Sequence, residues 1–113
     1  MAKHDDRTSL EHMLLYAGDA ELFAQGRART DLDTDRMFYL ALLRALEVIG
    51  EAAGRVSQPV RDRQTSIPWS QIIALRNRLI HGYDAVDPDR LWQILDSDIP
   101  KLIAELRQML AQP

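Results

Sequence analysis

Cysteine is absent from this 113-residue chain, which excludes disulfide bridges, thiolate metal centres and cysteine nucleophiles. Glycine and proline number only 5 each. With 46% hydrophobic residues, that scarcity favours a compact helical protein over a disordered one. No apolar run approaches the ~20 residues that a membrane span needs, and no signal-peptide pattern opens the sequence. Neither export nor membrane insertion is expected, and the cytoplasm is the expected location. Strand-like alternation, a glycine-rich phosphate loop and internal repeats are also missing.

What remains is helical text of one-domain length. Residues 1–113 are expected to form a single all-α domain, a four-helix up-and-down bundle with a short extra turn in its long middle connection. Met1 to Arg7 is polar and expected to fray. Thr8-Ser9-Leu10-Glu11 has the form of a capping box. Leu10, Met13, Leu14, Ala17, Phe23 and Ala24 then recur at helical spacing to about Gln25, where Gly26 supplies a stop. His4, Asp5 and Asp6 are metal-ligand types but sit in the tail, and His12 lies between apolar positions without a second ligand. No metal and no cofactor are expected.

Arg27 to Thr34 is a polar connection, and Asp33 or Thr34 is expected to cap a second helix over roughly Asp35 to Val56. That helix carries two apolar stripes: Met37, Leu40, Ala41, Ala45, Val48 and Ala52, and beside it Phe38, Leu42, Leu46, Ile49 and Ala53. One stripe suffices to join a monomeric core. The second implies dimerisation, a central place in the bundle, or both. Arg44, Glu47, Glu51 and Arg55 form a polar line at steps of three and four. It reads either as a ladder of intrahelical ion pairs or as a support in which Glu51 or Arg44 orients groups in a cleft.

Ser57 to Ser66 is a connector with one helical turn expected at Val60 to Arg63. Pro68 fits the first turn of a third helix, whose buried surface comes from Trp69, Ile72, Ile73, Leu75, Leu79 and Ile80. Arg76 falls among these residues, so its charge needs a partner. Asp87-Pro88 is a cap followed by a first-turn proline, and Leu91, Trp92, Leu95, Ile99, Leu102, Ile103, Leu106 and Leu110 carry the last helix. Pro100 is expected to kink it. Asp84, Asp87 and Asp89 are close enough in sequence for weak cation binding, although capping explains them more simply.

The formal net charge is −3, against a general nucleic-acid coat, but its distribution is uneven. From Arg55 to Arg78 five arginines face Asp62 alone, and from Asp84 to Asp98 five aspartates face Arg90 alone. Such a division either focuses an RNA backbone or marks two solvated helix faces.

Polar, titratable groups interrupt the amphipathic pattern at Arg76-Asn77-Arg78-Leu79-Ile80-His81-Gly82-Tyr83. Histidine, with an ordinary pKa of roughly 6.5, takes and gives a proton near neutral pH. Arginine stays charged and grips two phosphate oxygens at once. The two suit phosphodiester cleavage, in which a base activates a hydroxyl and a cation stabilises charge on phosphorus. At ~100° per residue His81 is turned about 140° from Arg76. They share a face only if the helix ends near His81, and Gly82 is expected to end it in the left-handed conformation.

The spacing Arg76, four residues, His81, one residue, Tyr83 resembles the R-x4-H-x-Y motif of HepT-like toxins in the HEPN superfamily. Leu46 to Ala52, Ile67-Pro68-Trp69 with Ile72, Ile73 and Leu75, and Asp87 to Leu102 resemble that family's flanking helices, so the likeness runs from about Asp33 onward. It implies a metal-independent endoribonuclease toxin of a type VII-like toxin-antitoxin pair, a homodimer with one RNA-binding cleft between its motif helices. His81 would then be the general acid/base, Arg76 would stabilise the phosphorane, and Asn77 would help position the phosphate, with Glu51 in support. Tyr83 would be the residue to which a nucleotidyltransferase antitoxin attaches AMP. Two other classes stay open: a non-catalytic helical partner of a nucleotidyltransferase, and a nucleotide sensor holding phosphate and base with Arg76 and Tyr83.

Overall fold

The computed structural model describes residues 5–82 and 86–112. In chain order they form α1 (Asp6–Ala24), α2 (Asp31–Thr34), α3 (Arg36–Arg55), α4 (Gln58–Arg61), α5 (Trp69–His81), α6 (Pro88–Gln93), a π-helical turn (Ile94–Asp98) and α7 (Ile99–Leu110). Three long helices and the α6–α7 run make the expected all-α bundle. α3 is its centre, packed on α1 and α5, while α1 also packs on α7. Met13, Leu42, Ile67, Leu91 and Leu106 are the largest side chains sealed within it.

The central position of α3 accounts for most of its apolar surface. Phe38, Leu42, Leu46, Ile49 and Ala53 are all buried, and Ala45 and Ala52 of the other stripe are buried too. Met37 and Leu40 of that stripe are not: they remain 78% and 47% exposed. Burial within one chain therefore explains part of the second stripe and leaves its first turns facing outward.

Several helix ends differ from the sequence expectation, for one reason. Where cap-capable residues cluster, the pattern cannot say which side chain folds back on the free amides. α1 begins before the expected capping box: Asp5 is its cap and accepts from the Thr8 N–H at 3.3 Å. The Thr8 hydroxyl donates to Asp5 at 2.6 Å. Residues 5–7 are thus part of the fold rather than a frayed tail. Asp6 accepts from the Ser57 N–H at 2.8 Å and the Ser57 hydroxyl at 2.7 Å, tying α1 to the α3–α4 junction. Asp31–Thr34 forms its own turn, so the cap of α3 is Asp35, which accepts from the Phe38 N–H at 3.1 Å.

Asp35 also accepts from Arg27, whose guanidinium lies over the Phe38 ring at 5.0 Å from its centroid. The Arg27 hydrogen bond, and then the Phe38 amide, hold the Asp35 carboxyl below the ordinary carboxylate range. A lowered carboxyl pKa stabilises the fold above its unfolded value and loses that contribution as pH falls through its folded value. Acid titration of Asp35→Asn is accordingly expected to show a shallower loss of thermal midpoint below pH ~4 than the parent.

Other ends are closed by side chains. The helical turn expected at Val60 to Arg63 lies two residues earlier, and Arg61 uses it to reach back. Its Nε donates to the Val56 carbonyl at 2.9 Å, and a terminal nitrogen donates to the Gly54 carbonyl at 3.3 Å and to the Ala53 carbonyl at 3.2 Å, which also accepts from the Val56 N–H, so the guanidinium closes the end of α3. Pro68 stands one residue before α5 rather than inside it, and its carbonyl accepts from the Ile72 N–H at 3.0 Å. Gly26 is the expected stop after α1, and it stops the helix with a left-handed φ of 72°.

The last helix meets Pro100 with a wider turn. Proline has no N–H and crowds the carbonyl four residues back, and the π-helical turn just before it accommodates both demands. The Ile99 N–H donates to the Ile94 carbonyl, five residues earlier, and α7 continues to Leu110. Asp87 caps α6 by accepting from the Asp89 N–H. Among the described residues no helix is long and apolar enough to cross a membrane. None of their His, Asp and Glu groups form a cluster that could hold a metal ion.

Candidate active site

The site is set by the crossing of α3 and α5. Leu43 and Leu79 line one cavity, while Leu46, Ile49, Ile72 and Leu75 line another. The two helices are therefore antiparallel neighbours. They pack tightly at Gly50: a Cβ built there would lie 2.2 Å from the Arg76 Cβ and 3.1 Å from the Ile72 carbonyl oxygen. Only a residue without a side chain lets the backbones approach this far. Arg76 is thus clamped at its base by α3, which fixes the point from which its side chain leaves α5.

Around that clamp the expected residues fall as follows. Arg76 is half-buried, and one of its terminal nitrogens donates to Asn77 Oδ1 at 3.0 Å. Its Nε is buried and has no acceptor among the described residues, and no carboxylate there pairs with it. The counter-charge expected for this enclosed arginine is therefore not supplied by the described part of the fold. His81 is the last residue of α5 and is exposed. Gly82 ends the helix, but not in the left-handed region: its backbone is extended at φ −162° and its N–H donates to the Arg78 carbonyl at 2.8 Å. Tyr83 lies outside the described residues, as does Asp84.

Rotation about the two axes gives the orientation. Taking Gly50 and Arg76 as the line of contact, steps of ~100° put Leu40, Glu47 and Glu51 at roughly 60–100° on α3. The same steps put Ile73, Ile80, Asn77 and His81 at roughly 40–140° on α5. Antiparallel neighbours turn these arcs to the same side of the bundle. One outward face therefore carries His81, Asn77 and, at its inner edge, Arg76. The same rotation brings exposed apolar groups to this side, Ile80 of α5, 38% accessible, and Leu40 and Met37 of α3.

Glu51 is half-buried on this face, one residue past the crossing, and makes no ion pair among the described residues. The polar line of α3 is a ladder only in its first rung, Arg44 to Glu47 at 2.8 Å. Sequence reasoning missed Gly50 as the positioning element. Its signal was present: a glycine inside a helix costs roughly 1 kcal/mol relative to alanine and calls for a packing reason.

A helical bundle with an arginine anchored at a helix crossing and a histidine free at the same helix's end defines a small all-α domain of the HEPN kind. The chain belongs to the ribonuclease HepT-like family, which it matches over residues 13–109. It is 34% identical over 106 residues to a protein of Methanocaldococcus jannaschii named "putative RNase", covering 94% of this chain and 97% of that one. A "putative RNase" of Caldanaerobacter subterraneus is 30% identical over 104 residues, 92% and 93% of the two chains. A "probable ribonuclease HepT" of Thermococcus cleftensis is 34% identical over 79 residues, 70% and 72% of the two chains. No solved structure matches the chain.

Proposed function

We propose that this chain is a metal-independent endoribonuclease, the toxin of a type VII-like pair whose antitoxin is a nucleotidyltransferase. The observation that carries this reading is the half-buried Arg76 guanidinium, clamped at Gly50 and lacking a counter-ion among the described residues, on the face that ends in the exposed His81. A fixed, uncompensated cation favours an anion that gains charge during reaction. Membership of a ribonuclease family makes an RNA phosphate the fitting anion.

The chemistry needs only groups of the chain. His81 accepts the ribose 2′-hydroxyl proton as that oxygen attacks the adjacent phosphorus. Arg76 balances the added charge on the pentacoordinate phosphorane, with Asn77 holding the guanidinium by the 3.0 Å hydrogen bond. The P–O5′ bond then breaks, leaving a 2′,3′-cyclic phosphate, and the departing 5′-oxygen takes a proton from an imidazolium. A homodimer pairing two outward faces across one cleft supplies a second imidazole for that step. The exposed Met37, Leu40 and Ile80 support such pairing, because apolar groups gathered at one face are costly to leave in water.

Regulation follows from Tyr83, two residues beyond His81 in sequence. Its phenol oxygen would attack the α-phosphorus of ATP on the nucleotidyltransferase, releasing pyrophosphate and leaving AMP on the ring. The added anion beside Arg76 would occupy the place of the RNA phosphate. Purified protein is expected to cut RNA in the presence of EDTA to products with cyclic phosphate ends. Co-expression with the nucleotidyltransferase is expected to add one or more AMP masses by intact-mass spectrometry, to abolish cutting, and to do neither in Tyr83→Phe. Cutting that requires added metal, or modification that persists in Tyr83→Phe, would refute the corresponding half of the reading.

A further inference from the structure

Beside the outward face, where α5 ends and α3 continues past it, lies a second cavity of about 660 Å³. Its floor is apolar, made by Leu40, Leu43, Leu79 and Val86, and Tyr39 and Arg36 stand at its wall. Leu79 lies within the motif, two residues before His81, and Val86 follows it, so the cavity adjoins the end of α5 that carries His81. Its size is that of small-ligand pockets, ~300–1,000 Å³.

The charges around it have an informative balance. Two carboxylates line the cavity, and each already has an arginine: Glu47 pairs with Arg44 at 2.8 Å, and Asp33 with Arg29 at 2.9 Å. Arg36 is left over. It is exposed and makes no ion pair among the described residues. Tyr39 is half-buried against the core, and its hydroxyl has no partner among the described residues. The cavity thus combines an apolar floor, an aromatic ring and one uncompensated cation at the rim. A flat aromatic base with a phosphate attached meets all three: the base stacks on the ring and covers the apolar floor, and the phosphate meets the guanidinium.

We infer that this cavity is a nucleotide subsite of the RNA-cutting cleft, with Tyr39 stacking on an unpaired base that flanks the cut phosphate and Arg36 holding its phosphate. This inference rests on the ribonuclease reading. It makes the substrate a single strand, because a base within a duplex has no free face for Tyr39.

The test is fluorescence anisotropy of a labelled 2′-O-methyl oligoribonucleotide, which keeps base and phosphate but has no hydroxyl for the attack. Tyr39→Leu is expected to weaken binding about tenfold, as loss of one stacked base does, whereas Tyr39→Phe keeps it. Arg36→Ala, at an exposed position, is expected to reduce the salt dependence by about one phosphate contact. Parental binding by both Tyr39→Leu and Arg36→Ala would overturn the subsite. Equal losses in Tyr39→Leu and Tyr39→Phe would overturn the stacking role. If Tyr39→Leu fails to fold by circular dichroism, the Arg36→Ala salt slope decides alone. Competition by free AMP at the concentration of the strand itself would replace an RNA subsite with a mononucleotide one. A parent that binds this strand but leaves unmodified RNA whole would remove the nuclease reading and not the subsite.

Discussion

His81→Ala is expected to slow RNA cleavage by about 10²–10⁴-fold, the usual contribution of a positioned general acid or base. Its thermal midpoint is expected to match the parent. Both halves follow from where the side chain is. His81 is exposed at the end of α5, and among the described residues it neither bonds nor packs into the core. Its removal leaves no cavity and no orphaned partner, which are the usual origins of large destabilisation. The cost therefore falls on proton transfer alone. A variant that cuts at the parental rate would remove His81 from the chemistry. One that loses activity and melting temperature together would make the residue structural. Measuring both quantities on one preparation separates the three cases.

The fold was legible in the sequence because its signals are local. Leu10 to Ala24, the α3 stripes and the Trp69 to Ile80 pattern each declare a helix by spacing alone, and Gly26 declares a stop. Cap identity was less legible. Asp31, Asp33, Thr34 and Asp35 are all able to cap a helix, and only packing of Phe38 under Arg27 selects Asp35. Gly82 was misjudged in conformation because its N–H completes the last helical bond, to the Arg78 carbonyl four residues back, on extended backbone as well, so ending α5 there requires no left-handed turn.

The site divides in the same way. The Arg76–His81 spacing is written in consecutive residues and could be recognised as a motif. Its support could not, because the clamp joins Arg76 to a glycine 26 positions earlier in the chain. The cavity walled by Tyr39 and Arg36 was hidden for a related reason. It exists only because α3 outruns the end of α5, a consequence of two helix lengths and one crossing point rather than of any pattern within either helix. Arg36 gave no sign of being unpaired until Asp33 was found with Arg29 and Glu47 with Arg44.

Two glycines on α3 allow the clamp to be tested with an internal control. Replacing glycine by alanine inside a helix ordinarily stabilises by about 0.5–1 kcal/mol, since the unfolded chain has less freedom to lose. Gly54 fits that expectation: a Cβ there meets nothing within 4 Å, so Gly54→Ala is expected to raise the thermal midpoint. Gly50 does not. Its new methyl would lie 2.2 Å from the Arg76 Cβ, an atom fixed to the α5 backbone, and 3.1 Å from the Ile72 carbonyl. No side-chain rotation relieves either contact, so α5 has to move away from α3. Overpacking of this kind costs about 1–3 kcal/mol, enough to reverse the sign of the ordinary gain. The displacement carries Arg76 with it, so cleavage by Gly50→Ala is expected to fall further than instability alone accounts for, even well below its melting range. Arg76→Ala would not rescue the fold, because alanine keeps the offending Cβ, whereas Arg76→Gly would relieve the 2.2 Å contact and return part of the stability, less about 1 kcal/mol for a glycine inside α5, without returning activity. Parental melting and cutting by Gly50→Ala would show that the crossing is looser than 2.2 Å implies and that Arg76 takes its position from somewhere other than α3.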